Sequence, residues 1–240
     1  MNVSVIVFPG TNCDHDIEHT YARLLDAKVN SIWHRETDLK QPDLVVLPGG
    51  FSYGDYLRAG ALAKVSPIME SIINFANKGG PVLGICNGFQ VLCEVGLLPG
   101  VLLQNIGMKF LSRTVYMKVA STDTPFTRGY QQGDLLPCPV AHFDGNFFAD
   151  DSTIDSLEQS DQVIFRYSSP EGVVDPSCRA WNPNGSVRAI AGICNEKRNV
   201  LGFMPHPERA LETLVSEYGP DLKEGPKGME LFRSALEFVG

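Results

Sequence analysis

The first 96 residues alternate between short apolar runs and stretches with helical spacing. Buried strands are predicted where β-branched and other apolar residues cluster, at residues 3–8, 29–33, 43–47 and 81–85. Helices are predicted between and after them, at residues 11–26, 66–78 and 87–95. Thr11 and Asn12 are the predicted caps of the first helix. This alternation is typical of a parallel sheet with helices on both faces.

The second half of the chain has a less regular pattern. Strands are predicted at residues 115–119, 163–167 and 187–193 among turn-rich stretches, which favours an antiparallel extension of the same sheet. A strand at 200–204, a loop rich in Gly and Pro at 219–226 and a helix at 227–238 complete the prediction. We therefore expect an α/β fold, mostly parallel and flanked by helices, with residues 1–240 forming a single domain.

Composition narrows the class of protein. The chain has 240 residues, of which 43% are hydrophobic and 20% are charged, and its net charge is −8. This acidic balance, without a basic cluster, argues against nucleic acid as a partner. The six cysteines form no Cys-x-x-Cys pair, so neither a zinc site nor a disulfide scaffold is expected. Without a signal peptide or an apolar run of membrane-spanning length, we expect a cytoplasmic protein that does not bind membranes.

Candidate chemistry lies at the turn after the fourth predicted strand. Residues 84–90 read Gly-Ile-Cys-Asn-Gly-Phe-Gln, the thiol form of the nucleophile elbow, in which glycines two positions before and after the nucleophile relieve crowding. The turn aims helix N–H groups at the reacting centre, which favours a thiolate at Cys86. A buried structural cysteine is the alternative interpretation. Cys13 also lies at a strand–helix junction but lacks these glycines.

A thiol nucleophile needs a base, and His206 is the strongest candidate. It lies in Met-Pro-His-Pro-Glu-Arg at residues 204–209, where the prolines hold the backbone extended. Side chains two positions apart then point the same way, so Glu208 could orient the imidazole toward Cys86. A proline-rich loop with a solvated carboxylate is the alternative.

Taken together, these motifs resemble the class I glutamine amidotransferase family, whose triad is Cys-His-Glu. Two further segments, at residues 8–14 and 47–60, look like one branch of it, the glutaminase subunits of phosphoribosylformylglycinamidine synthases. The resemblance implies a flavodoxin-like fold and hydrolysis of glutamine to glutamate and ammonia. The ammonia would pass to a synthetase subunit that makes formylglycinamidine ribonucleotide from formylglycinamide ribonucleotide in purine biosynthesis.

The resemblance also implies roles for individual residues. Cys86, His206 and Glu208 would form the triad through a thioester intermediate. The N–H of Asn87 and one in the turn around Gly50 and Phe51 would stabilise the oxyanion, and a family position lining the glutamine pocket matches Gln90. No metal or cofactor is implied for this chain; ATP and Mg²⁺ are expected on the synthetase, with a small accessory subunit in the same complex.

Several features depart from the family pattern or leave room for other functions. Residues 141–145 read Ala-His-Phe-Asp-Gly where the family more often has Ala-His-Gly-Glu-Gly, which puts a role for His142 near the glutamine site in doubt. Residues 146–165 and 210–228 look longer than in compact members. The alternatives are the glutaminase of another synthetase, a redox or hydrolase protein with a cysteine elbow, or a non-enzymatic binding subunit.

Overall fold

A nine-stranded sheet carries the candidate site, and its two halves differ in strand direction. The structure is a computed structural model that describes residues 1–212 and 227–239. The strand order is β2-β1-β3-β4-β11-β10-β9-β6-β7. The strands of this sheet are β1 (Asn2–Val7), β2 (Lys28–Trp33), β3 (Leu44–Leu47), β4 (Val82–Ile85), β6 (Leu111–Val119), β7 (Leu135–His142), β9 (Val163–Ser168), β10 (Ile190–Cys194) and β11 (Val200–Phe203).

The remaining regular elements flank this sheet. A small antiparallel sheet pairs β5 (Val101–Leu103) with β8 (Asn146–Phe148). The helices are α1 (Asp14–Glu18), which continues as a π-helical turn over His19–Leu24, α2 (Ile68–Asn77), α3 (Asn87–Glu94), α4 (Asp151–Gln159) and α5 (Gly228–Val239). No helix within 1–212 and 227–239 combines the length and apolar character needed to cross a bilayer.

The parallel half consists of the five strands from β2 to β11. All pairings among β2, β1, β3, β4 and β11 are parallel. The strands β3, β4 and β11 are buried along their whole length, as expected where helices cover both faces of a sheet. Their carboxyl ends therefore meet at one edge, where residues 48–51, 86 and 204–208 follow directly.

The antiparallel half curls back onto the parallel half. All pairings among β11, β10, β9, β6 and β7 are antiparallel. Although β7 lies at the far edge of the sheet, the O of Pro139 on β7 accepts a 2.8 Å hydrogen bond from the N of His206, just after β11. The extension thus closes over the same edge that receives the carboxyl ends of the parallel strands.

The α/β architecture with an antiparallel extension is confirmed, and two details of the prediction are wrong. Thr11 and Asn12 do not cap α1: the residue before the helix is Cys13, and the Thr11 hydroxyl instead accepts from the N of Phe8. The prediction also lacked β5, β7, β8 and α4. The prediction of a loop at 219–226 lies outside the described residues, whereas the predicted final helix is present as α5.

Candidate active site

Cys86 occupies a strained turn between β4 and α3. Its backbone has φ 52° and ψ −106°, a conformation that costs a residue with a side chain about 1–3 kcal/mol. The N of Cys86 donates to the O of Phe203 at 2.8 Å, which anchors the turn to β11. The side chain is only 4% exposed. The strain is thus held by the sheet, and Cys86 precedes the first N–H groups of α3, which lack intrahelical acceptors.

Glycines at positions 84 and 88 are required by close packing of this turn. A Cβ on Gly84 would lie 2.8 Å from the carbonyl of Gly88, and a Cβ on Gly88 would lie 1.9 Å from the O of Leu47 on β3. Both distances are shorter than real Cβ contacts allow. The glycines therefore let α3 begin directly against the end of β3, as the elbow interpretation requires.

His206 and Glu208 lie side by side as predicted, but not through an extended backbone, because Pro207–Arg209 form a short 3-10 helix. The Nδ1 of His206 is 2.6 Å from the Oε1 of Glu208, and both side chains are buried. A carboxylate only accepts hydrogen bonds, so Nδ1 carries the hydrogen and Nε2 is left for another partner. The second carboxylate oxygen of Glu208, Oε2, is buried and has no protein partner among the described residues.

The surroundings of His206 favour its protonated form. Burial opposes a charged imidazole, but the charges of Glu208 and Cys86 and hydrogen bonds with Cys13 and Cys86 outweigh it, so the pKa of His206 lies well above its ordinary value. Because the charge of Cys86 is among these influences, Cys86 lies near His206. The structure thus brings together all three residues predicted to form the triad.

Cys13 lies beside the same histidine, on the Glu208 side. Its Sγ is 3.9 Å from the Nδ1 of His206, and burial is the main cause that raises the pKa of this thiol. A raised pKa disfavours the thiolate, the form needed for nucleophilic attack. Ligand atoms of Cys13, His206 and Glu208 also lie within 4.8 Å of one another, although His206 and Glu208 already share a hydrogen bond there.

The turn at Gly50 and Phe51 differs from the expectation in one respect. The N–H of Phe51 donates to the O of Gly10 at 2.8 Å, so in this arrangement it is not free to bind an oxyanion. The N–H of Gly50 has no acceptor within the described part of the chain. A Cβ on Gly50 would lie 2.7 Å from that same Gly10 oxygen, so the close approach of the two segments requires glycine. Of the two predicted positions, Gly50 is the one with an available donor.

Asn87 and Gln90 link the turn, the elbow helix and the loop after β7. The Oδ1 of Asn87 accepts from the N of Ser52 at 3.1 Å, and its Nδ2 donates to the Oε1 of Gln90 at 2.9 Å. The Nε2 of Gln90 in turn donates to the O of Asp144 at 2.6 Å. In this structure Gln90 therefore holds the 143–145 loop against α3, a contact that the sequence did not predict.

Two carboxylates close to this network were also missed. Burial, followed by the charge of Asp144, raises the pKa of Asp55 to about 6. Burial likewise raises the pKa of Asp144, whose Oδ1 is buried and has no partner among the residues that the structure describes. Asp55 lies in the 47–60 segment that carried the family resemblance, and Asp144 lies in the 141–145 segment that departs from the family pattern, so these positions were the available signal.

Comparison with known proteins agrees with the fold. The family model described as a CobB/CobQ-like glutamine amidotransferase domain matches residues 1–239. The chain belongs to this glutamine amidotransferase family.

Curated relatives narrow the similarity to one kind of subunit. The chain is 52% identical over 212 residues to the phosphoribosylformylglycinamidine synthase subunit PurQ of Koribacter versatilis, covering 88% of this chain and 90% of the relative. It is 48% identical over 238 residues to the subunit of the same name from Moorella thermoacetica, covering 99% and 96%.

A solved structure extends the similarity to three dimensions. A chain in the structure of PurLQS from Thermotoga maritima matches with a TM-score of 0.81 and 37% sequence identity. The match covers 100% of this chain and 99% of that chain. The antiparallel extension is therefore part of what the two chains share.

Proposed function

We propose that this chain hydrolyses glutamine to glutamate and ammonia and supplies the ammonia to a phosphoribosylformylglycinamidine synthase. The observation that carries the proposal is the convergence of the Cys86 elbow with the buried pair of His206 and Glu208, whose ring nitrogen and carboxylate are 2.6 Å apart. The names of the relatives support the choice of synthase. In this reaction, the synthase would convert formylglycinamide ribonucleotide to the amidine with ATP.

Cys86 is the proposed nucleophile. His206 takes the proton of the Cys86 thiol, and the sulfur bonds to the side-chain amide carbon of glutamine while the carbonyl oxygen becomes an oxyanion. Collapse of this intermediate breaks the carbon–nitrogen bond, and protonated His206 gives its proton to the departing nitrogen, so ammonia leaves and a thioester remains. Proton transfer of this kind contributes roughly 10²–10⁴-fold to a rate.

Water completes the reaction. His206, neutral after the first step, accepts a proton from water as the oxygen attacks the thioester. A second oxyanion forms, its collapse breaks the carbon–sulfur bond and releases glutamate, and His206 returns its proton to the sulfur to restore the thiol. Glu208 holds the imidazole in the tautomer that both steps need, since its carboxylate accepts from Nδ1.

The oxyanion donors that we propose are the N–H groups of Asn87 and Gly50. The first belongs to the opening turn of α3, and the second lacks an acceptor in the described chain. Removing one such donor typically lowers kcat about 10²–10³-fold. Gln90 contributes by shaping the glutamine pocket, since its amide fixes the 143–145 loop.

The same proposal includes where the chain acts and which subunits act with it. Residues 1–240 form a single domain that acts in the cytoplasm without a cofactor of its own. The synthetase subunit binds ATP and Mg²⁺, and a small accessory subunit completes the complex.

Coupled assays test the proposal directly. The purified chain is mixed with the synthetase and accessory subunits, formylglycinamide ribonucleotide, ATP and Mg²⁺, and glutamate and the amidine product are measured. We expect one glutamate per amidine, with both lost in Cys86→Ser, while added ammonium salts still support amidine formation. Glutamate formation that responds only to a different synthetase would overturn the choice of partner.

A further inference from the structure

His142 is a buried histidine close to the proposed active site that the mechanism above does not use. It is the last residue of β7 and is 2% exposed. Its Nδ1 lies 3.1 Å from the Oδ1 of Asn105. The buried residues of β7 alternate, so His142 shares a face with Cys138, whose pKa responds to the charges of Glu208 and His206 after the larger effect of burial. His142 therefore faces the side of the extension that covers the triad.

The hydrogen bonds of Asn105 determine which tautomer His142 adopts. The Nδ2 of Asn105 donates to the O of Lys109 and to the O of His142, each at 2.9 Å, which fixes the orientation of the amide. Its Oδ1 also accepts from the N of Gly145 at 3.1 Å. Because Oδ1 can only accept, the Nδ1 of His142 must donate, and the Nε2 of His142 carries a lone pair.

This lone pair is buried without a protein partner. The Nε2 of His142 has no hydrogen bond to any described residue. Burial, helped by the charge of His206, lowers the pKa of His142 to about 3, so the nitrogen stays unprotonated at neutral pH. A buried acceptor without a donor destabilises the folded protein, which makes each such atom in a native structure a candidate for binding something.

The surrounding contacts hold His142 rigidly. A Cβ on Gly145 would lie 2.1 Å from the Cε1 of His142, so the Gly145 backbone packs directly against the ring. The Nδ2 of Asn184 donates to the O of Gly145 at 2.7 Å and to the hydroxyl of Tyr167 at 3.0 Å. Burial raises the pKa of Tyr167, the Asn184 hydrogen bond opposes this rise, and the charge of Cys86 adds a smaller increase. The carbonyl of Asp144, next to Gly145, accepts from Gln90 on α3 at 2.6 Å, so this network reaches the helix that follows Cys86.

We propose that the Nε2 of His142 accepts a hydrogen bond from the leaving nitrogen of the glutamine side chain, and then from the ammonia that it becomes. The inference rests on the proposed glutaminase function. A carboxamide nitrogen carries two N–H groups and ammonia carries three, and in a water-excluded site each needs an acceptor. While protonated, His206 donates to this nitrogen and accepts nothing from it, and after the proton transfer it can accept only one N–H of the ammonia. His142 is a neutral acceptor that can fill this role.

Substrates with different leaving groups test the inference. The γ-methyl ester of glutamate forms the same thioester, but its leaving oxygen has no N–H to donate. We expect His142→Phe to lower kcat/KM about 10–100-fold for glutamine and less than about 3-fold for the ester, the size of one hydrogen bond. Leu136→Val, at another buried position of β7, controls for repacking and should leave the ratio of the two kcat/KM values unchanged. An equal loss with both substrates would overturn the inference, since it indicates a structural or water-binding role.

A second measurement leaves His142 intact, in case its variant fails to fold. With ¹⁵N-labelled histidine in Cys86→Ala, the Nε2 resonance of His142 should move upfield when glutamine binds, because a lone pair that accepts a hydrogen bond is shielded. The γ-methyl ester should bind without this shift. The same response to both ligands would contradict the inference. If the wild-type chain hydrolyses neither substrate, the proposed function itself fails; hydrolysis that is insensitive to His142→Phe removes only the role of His142.

Discussion

The two halves of the sheet contribute to the candidate site in different ways. The parallel half provides the Cys86 elbow and the Gly50 turn at the carboxyl ends of its strands. The antiparallel half provides Pro139, whose carbonyl receives the His206 N–H, and His142. The parallel strands thus present the reacting groups, whereas the curled extension covers and buries them. The reacting groups and the residues that exclude water from them therefore come from different halves of one sheet.

The largest expected effect removes the reacting group from the parallel half. Cys86→Ser should lower glutamine hydrolysis by at least about 10³-fold, since the alcohol is a far weaker nucleophile at neutral pH. Cys13→Ser is the matched control, because its sulfur lies 3.9 Å from the same histidine. Its activity should stay within about 10-fold of wild type in a glutamate-release assay. A larger loss in Cys13→Ser than in Cys86→Ser would reverse the assignment.

The second largest effect is expected at Glu208, which follows β11, the strand where the parallel and antiparallel halves of the sheet meet. Glu208→Gln should lower kcat about 10²–10³-fold and move the alkaline limb of the pH–rate profile to lower pH. Burial works against protonation of His206, and the charge of Glu208 is the largest influence that raises its pKa. The protonated acid is present below this pKa and is lost above it, so a lower pKa shifts the loss of activity downward. An unchanged alkaline limb would show that another group controls it.

The third prediction tests the close packing of the elbow by its effect on the stability of the fold. Gly88→Ala should lower the free energy of unfolding by about 3 kcal/mol, because the new Cβ would lie 1.9 Å from the O of Leu47. Gly107 lies in the loop between β5 and β6, and a Cβ there would meet nothing within 4 Å. Gly107→Ala is therefore expected to be nearly neutral in the same denaturant titration. Equal effects of the two changes would contradict the packing described for the elbow.

The smallest effect tests the carboxylate of Asp55, which the charge of Asp144 influences. Burial and then the charge of Asp144 raise the pKa of Asp55 to about 6, so folding favours the protonated form and ionisation destabilises the fold. The penalty is absent below pH 4 and complete above the folded pKa. Asp55→Asn should thus stabilise the chain by about 1 kcal/mol at pH 7.5, allowing for solvent screening of a half-buried carboxylate, and not at pH 4. A pH-independent difference between the two melting curves would exclude this cause.

The difference between the parallel half and the antiparallel extension also explains which parts of the fold the sequence could predict. In the parallel half, continuous apolar runs and glycines at fixed spacing identified each strand and the position of Cys86. In the extension, β7 was missed because Pro137 and Pro139 argue against a central strand, yet it lies at the sheet edge, where proline is tolerated.

Contacts between segments that are distant in the chain could not be predicted from the sequence either. The pairing of His206 and Glu208 was predicted correctly, but from an extended backbone, whereas Pro207–Arg209 form a short 3-10 helix. That Phe51 donates its N–H to Gly10, or that Gln90 holds Asp144, depends on how loops meet in three dimensions. No local pattern reports such contacts.

The most direct test of the central claim uses a diazo-ketone analogue of glutamine. The purified chain is incubated with the analogue, and the adduct is mapped by peptide mass spectrometry, which needs a single turnover. The account predicts one adduct, on Cys86, that excess glutamine prevents and that His206→Ala slows. An adduct on Cys13, or none even with the synthetase and accessory subunits present, would contradict the assignment of Cys86, His206 and Glu208 as the glutaminase triad.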